Sequence, residues 1–161
     1  MLQSKRPKLN KVSIQAGKKP AKGRASHAVD YGALAQFRFQ LRKFLSFSEA
    51  AAHEAGLTPR QHQALLAIKG FSSGEQVSVG DLAKFLLVRH HTAVELVDRM
   101  TRLRLLERIA DEDDSRRILV KLTRKGEQKL RTLSKIHFEE LQSASPELTR
   151  ILRSFRRSQA H

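Results

Sequence analysis

Arg89, His90, His91 and Thr92 are four consecutive hydrogen-bonding side chains that open a run whose later residues are aliphatic on one side. A guanidinium can pair bidentately with a guanine edge, and the imidazoles and hydroxyl can bond bases or phosphates. Glu95 stands one turn further on, where a carboxylate either accepts from a cytosine amino group or orients Arg99. His90 and His91 also admit a metal-binding or a plain surface reading. Neighbours on a helix point about 100° apart, however, which suits shared ligation poorly. Glu49 and His53 lie four apart, but no further ligands stand near them in sequence, so they read as a solvated helix face. A second charged cluster runs from Asp111 through Asp114 and Ser115 to Arg116 and Arg117. It lacks the glycine and terminal glutamate of a calcium loop, so an exposed tip is the better reading.

These residues need elements to hold them. Ser78 followed by Asp81 has the form of a helix N-cap with its capping carboxylate, which places a short helix from Val79. Leu82, Phe85 and Leu86 recur at one-face spacing along it. A second helix is expected from about Arg89 to Leu103, burying Ala93, Leu96, Val97 and Met100. Two helices joined by so few residues cross sharply, as in a helix-turn-helix. Two β-prone runs follow, Leu106 to Ala110 and Arg117 to Leu122, with the charged tip between them. The second alternates, Ile118, Val120 and Leu122 against Leu119 and Lys121. A helix-turn-helix followed at once by a charged hairpin is a winged helix. Val77 is placed to add a short strand beside the hairpin.

The stretch resembles the MarR family of prokaryotic transcription regulators. Asp114, Arg116, Leu122 and Thr123, followed by Gly126, match its D-x-R-x-x-x-x-x-L-T wing signature. Leu96-Val97-Asp98-Arg99 falls where family members carry an L-V-D-R run, and Leu57-Thr58-Pro59 with Gln61 looks like the usual opening of the preceding helix. The resemblance covers about Tyr31 to Arg157. Two positions depart from it: Leu87 stands where a glycine is common in the turn, and Arg104 where a glycine commonly ends the reading helix. Glycine relieves a left-handed backbone at such places. The resemblance implies that Arg116 approaches a minor groove, where a narrow channel concentrates negative potential, and that Asp114 braces it. Arg117, Lys121, Arg124 and Lys125 would add phosphate contacts that position without specifying.

The remaining helices fit the same picture. A long first helix is expected from Tyr31 to about Ala52, with Leu34, Phe37, Leu41, Phe44, Leu45 and Ser48 on one stripe and Phe39 and Phe47 off it. Apolar residues on more than one face imply burial on more than one side. Thr58-Pro59-Arg60-Gln61 reads as a capping box with proline at the first helical position, opening a helix that ends at Gly70 and buries Ala64, Leu65 and Ile68. His62 reads as an interface or surface histidine rather than a catalyst. Thr123 caps a helix from about Arg124 to Gln142, and Ser145-Pro146-Glu147 opens a last one carrying Leu148, Ile151, Leu152 and Phe155. The fold class is therefore mainly α with a small β-wing (α+β). The winged helix-turn-helix occupies about 57–123, and the terminal helices, about 30–53 and 124–157, supply a dimerisation layer in the family's architecture. Residues 158–161 form a frayed tail.

Composition narrows the function. Of 161 residues 40% are hydrophobic, enough for one domain with a modest core. The absence of cysteine excludes disulfides, thiolate metal sites and cysteine nucleophiles. A net charge of +15 draws the chain to a polyanion, most commonly nucleic acid. Eight of those charges lie in residues 1–29, which hold no acidic residue: Lys5, Arg6, Lys8, Lys11, Lys18, Lys19, Lys22 and Arg24. With few bulky apolar residues this arm reads as disordered, and it lacks the apolar core of a secretory signal. It is either a solvated tail or an arm that meets phosphates or a minor groove. No long apolar run addresses a membrane, and no phosphate loop, nucleophile elbow or ligand cluster points to an enzyme, cofactor or metal.

The expected function is a cytoplasmic, nucleoid-associated, homodimeric DNA-binding regulator of a pseudo-palindromic operator. The resemblance adds repression and release by a small aromatic or anionic effector, in a cleft to which Phe37, Leu41, His62 and Leu65 are assigned. One alternative is a nucleic-acid-coating protein driven by the basic arm. Another is a dimeric interaction module without a DNA role.

Overall fold

The computed structural model describes residues 29–71, 76–111, 114 and 117–158. In chain order these form α1 (Tyr31–Glu54), α2 (Pro59–Phe71), β1 (Val77–Ser78), α3 (Val79–Phe85), α4 (His90–Arg102), β2 (Leu106–Ala110), β3 (Ile118–Leu122) and α5 (Arg124–Ser158). The expected basic arm lies outside the described residues except for Val29.

Side-chain caps set where the helices begin. Asp30 accepts from the Ala33 amide at 2.9 Å to open α1. At α2 the capping box is reciprocal: the Thr58 amide donates to Gln61 Oε1 at 2.9 Å, and the Gln61 amide donates to Thr58 Oγ1 at 3.2 Å. Ser78 accepts from the Asp81 amide at 3.1 Å to open α3. Thr123 accepts from the Gly126 amide at 3.1 Å to open α5, while its hydroxyl donates to the Arg104 carbonyl at 2.6 Å. Each cap satisfies an amide that the first helical turn would otherwise leave unpaired.

Three helices end in one motif. After α1 the amides of Gly56 and Leu57 donate back to the carbonyls of His53 and Ala52; after α3 those of Leu87 and Val88 donate to Lys84 and Ala83; after α4 those of Arg104 and Leu105 donate to Thr101 and Met100. This is the paired six-to-one and five-to-two closure that requires a left-handed residue just past the helix. Gly56 supplies it at φ 69, but Leu87 and Arg104 adopt φ 53 and 57. A side chain there costs about 1–2 kcal/mol relative to glycine. The two departures from the family pattern thus leave the turn geometry intact and place strain at both ends of α4.

The sheet runs β1-β3-β2, antiparallel throughout, with Val77 opposite Val120 and Arg108 opposite Val120 on the other side. As the central strand, β3 buries Leu119 and Val120 on consecutive positions while Ile118 stays exposed, so the expected alternation is broken. The core gathers Leu57, Leu65, Ile68, Leu82, Leu86, Leu96, Val97, Met100, Leu105, Leu106, Val120, Leu130 and Leu133. The aliphatic stripe of α4 is buried as its spacing predicts.

Several expectations are corrected. Phe85 is exposed and stacks on Phe71, with ring centroids 4.2 Å apart. On α1, Leu34, Leu41 and Leu45 are exposed, and the inward face is Ala33, Phe37, Phe44, Phe47, Ser48, Ala51 and Ala52. Phe47, read as off the stripe, is therefore on the packed side. The two C-terminal helices are one, α5, with Pro146 inside it and helical backbone through Ser158. Proline removes one amide and crowds the preceding turn, a cost of about 3 kcal/mol in a helix interior. Contacts with α1 on both sides of Pro146 hold the rod together. Before it, His137 meets Ser48; after it, Arg150 donates to Gln36 at 3.1 Å and Phe155 packs edge-on against Phe37.

Candidate nucleic-acid interface

With Ala93, Leu96, Val97 and Met100 turned into the core, α4 must present its other side outward. Arg89 is its N-cap, in extended conformation and without a side-chain capping bond. Arg89, His90 and His91 are exposed and Thr92 is half-buried. The first turn therefore offers donors to solvent at the helix end where the backbone dipole favours an anion. Glu95, Arg99 and Arg102 continue the exposed face.

The L-V-D-R run has an internal role that spacing alone does not reveal. Asp98 pairs with Arg108 on β2, at 2.5 Å, which links α4 to the wing's first strand. The partners come from different elements, and the only hint in sequence is their opposite charge. Arg117 is also tied inward. Its guanidinium lies 3.7 Å from Asp81 and 3.6 Å from Asp111, which joins the wing base to α3. Asp81 in turn accepts from the Ser78 hydroxyl at 2.6 Å and from Lys84 at 3.1 Å. Its carboxyl is held below the usual range first by the Ser78 bond and then by the Lys84 bond.

At the tip, the Asp114 amide donates to Asp111 Oδ1 at 3.3 Å and the Arg117 amide donates to the Asp114 carbonyl at 2.9 Å. Arg116, with Glu112, Asp113 and Ser115, lies outside the described residues. The expected brace from Asp114 to Arg116 falls there too.

The four residues assigned to an effector cleft stand in different settings in the described chain. Leu65 is fully enclosed in the core and Leu41 is exposed, while Phe37 packs on Phe155. His62, expected at a surface or interface, is buried. Its ring lies 4.6 Å from that of His137, which has Phe44 and Phe47 edge-on at 5.9 and 5.7 Å. His137 Nδ1 is 2.7 Å from the Leu133 carbonyl and Nε2 is 2.8 Å from Ser48 Oγ. A carbonyl can only accept, so Nδ1 carries hydrogen, and in the neutral ring Nε2 accepts from the serine hydroxyl. Burial, and secondarily the neighbouring His137, lowers the His62 pKa from its ordinary value.

Two hollows lie along α5. One of about 260 Å³ is lined by Lys69, Glu127, Leu130, Arg131 and Ser134; another of about 360 Å³ by Ala55, Lys125, Gln128, Lys129 and Thr132. Neither includes a residue assigned to the cleft. Among the described residues no group of three or more metal-ligating side chains gathers, and no helix is long and apolar enough to cross a membrane.

Comparison with known proteins bears on this arrangement. Residues 55–117 match the model of the MarR family. A curated relative, the transcriptional activatory protein BadR of Rhodopseudomonas palustris, is 35% identical over 89 residues, which cover 55% of this chain and 51% of that protein. The chain thus spans about half the length of the curated relative it matches. Among solved structures, Staphylococcus aureus MepR, a transcription regulator of the multidrug efflux pump MepA, superposes with a TM-score of 0.63 at 20% identity, covering 82% of this chain and 94% of that one. The S. aureus MepR–DNA complex matches with a TM-score of 0.56 at 22% identity, over 75% and 98% of the two chains. These structural likenesses establish a shared winged-helix fold.

Proposed function

We propose that the chain is a MarR-type regulator, matched to that family over residues 55–117, and that it is homodimeric and reads a specific, pseudo-palindromic DNA operator. The observation that carries the reading is α4. Its aliphatic side is committed to the core, and its donor-bearing first turn, Arg89 to Thr92, is turned outward at the positive end of the helix. That end of a helix-turn-helix enters the major groove. The net charge of +15 supplies the sequence-independent attraction that brings such a surface to DNA. MepR, with the same fold, is known in complex with DNA.

Apolar surface that a single chain leaves uncovered supports dimerisation. Tyr31, Leu34, Phe39, Leu41 and Leu45 on α1 and Phe138, Leu141 and Leu152 on α5 are all exposed. A second copy covering them would set two reading helices about one turn of DNA apart. A dimer seated over a promoter excludes polymerase, so repression is the expected sign. The relative BadR is named an activator, and the position of the operator against its promoter decides between the two. Release by a small effector requires a ligand that favours a misfitting spacing of the reading helices. With Leu65 enclosed and Phe37 packed on Phe155, that ligand would meet Leu41 on the face a second copy covers rather than all four residues assigned from sequence.

Selection from fragmented genomic DNA at about 150 mM salt tests the reading, because non-specific binding is weak there. Recovery of a few fragments sharing an inverted repeat is the expected result. Uniform recovery would overturn it and favour the coating protein, a reading supported by the eight basic and no acidic residues of positions 1–29.

A further inference from the structure

Leu87 is 92% exposed, the most exposed large apolar side chain among the described residues. It also sits at φ 53, where glycine would be unstrained. The neighbours on either side do the packing: Leu86 is buried and Val88 is packed against the core. The side chain of Leu87 therefore adds strain to the turn without filling any internal space. Arg60 fixes the turn in place, its Nη1 donating to the Leu86 carbonyl at 3.1 Å. Strain kept at a rigidly held, solvent-facing position points to a contact made outside the chain.

The surroundings identify that contact. Leu87 lies two residues before Arg89, the N-cap of α4, so it arrives with the helix end that carries Arg89, His90 and His91. Lys84, near the end of α3, is exposed, and Arg60 of α2 reaches the turn through its bond to the Leu86 carbonyl. An apolar tip beside basic side chains fits a polyanion that carries apolar groups of its own. In the major groove the C5 methyl of thymine is such a group, and it is read by apolar side chains.

We propose that Leu87 is a specificity residue that packs against a thymine methyl beside the bases met by the first turn of α4. This rests on the regulator reading above. Substituting uracil for each operator thymine in turn removes the methyl and nothing else, and affinities are measured for the wild type, Leu87→Gly and Leu87→Asn. A single uracil at the contacted position of one half-site should weaken wild-type binding about fourfold, the equivalent of one buried methyl. The same uracil should leave both variants unchanged, because the apolar partner is already missing. Leu87→Gly should also raise the thermal midpoint while binding the thymine operator more weakly than the wild type. Leu87→Asn, which tolerates the left-handed backbone, separates loss of the leucine from added flexibility of the turn. A scan in which no uracil is felt differently by wild type and variants overturns the assignment, as does undiminished operator binding by Leu87→Gly. Wild-type protein that selects no operator overturns the regulator reading itself.

Discussion

A methyl group placed on Gly126 would lie 2.2 Å from the carbonyl oxygen of Leu105 and 3.2 Å from its carbon. That carbonyl is already fixed as the acceptor for the Thr123 amide at 3.1 Å, so neither the start of α5 nor the entrance to β2 can yield cheaply. Gly126→Ala should therefore lower stability by about 1–3 kcal/mol, the usual cost of overpacking. Gly70 provides the control: nothing lies within 4 Å of its added carbon. Gly70→Ala should be neutral or stabilise by up to about 1 kcal/mol through helix propensity. Urea midpoints of the two variants check this, and equal midpoints would show that α5 can shift away from β2. Gly126 was visible in sequence as the residue closing the wing signature, but its reason was not, because Leu105 is brought there only by tertiary structure. Leu87 and Arg104 were more legible. A family position that favours glycine marks a left-handed backbone, and both residues have one.

Where α1, α2 and α5 meet, the buried pair His62–His137 makes the packing sensitive to pH. His62 has its pKa lowered in the folded protein, chiefly by burial. Its side chain faces the His137 ring, and His137 in turn meets Ser48, Phe44 and Phe47. A histidine with a depressed folded pKa binds its proton more readily when unfolded, so stability is full above the unfolded value of about 6.5 and falls as pH drops through it. The urea midpoint should decline between about pH 7.5 and 5.5, and His62→Gln should flatten that decline. An unaltered slope in the variant would assign the acid sensitivity elsewhere. The helices themselves were largely legible from caps and spacing, since Thr58 with Gln61 and Ser78 with Asp81 bond as their patterns predict. Element contacts were not. Nothing local distinguishes Phe47, which packs, from Leu45, which does not, and Pro146 looked like a helix start because the α1 contacts that carry α5 across it are long-range.

For the molecule as a whole, charge and shape divide the work of binding. In the proposed reading, sequence-reading groups sit on α4, the turn before it and the wing, whereas about half the net charge sits in residues 1–29. If those eight cations meet only phosphates, their contribution is the same for every DNA sequence and enters through released counterions. Deleting residues 1–29 should then weaken operator and random DNA by the same factor and leave the ratio between them intact. The loss should also be salt-dependent, with the slope of log affinity against log salt becoming shallower by about 0.9 for each phosphate contact removed. Titrations of both DNAs at several salt concentrations, with full-length and shortened chains, measure all four quantities. A collapse of the operator preference on deletion would instead place base or groove-width recognition in the arm, as a minor-groove arm can provide. Unchanged affinities and slopes would make the arm a solvated tail, and the remaining excess of basic residues, net +7 over positions 30–161, would then carry the whole electrostatic contribution.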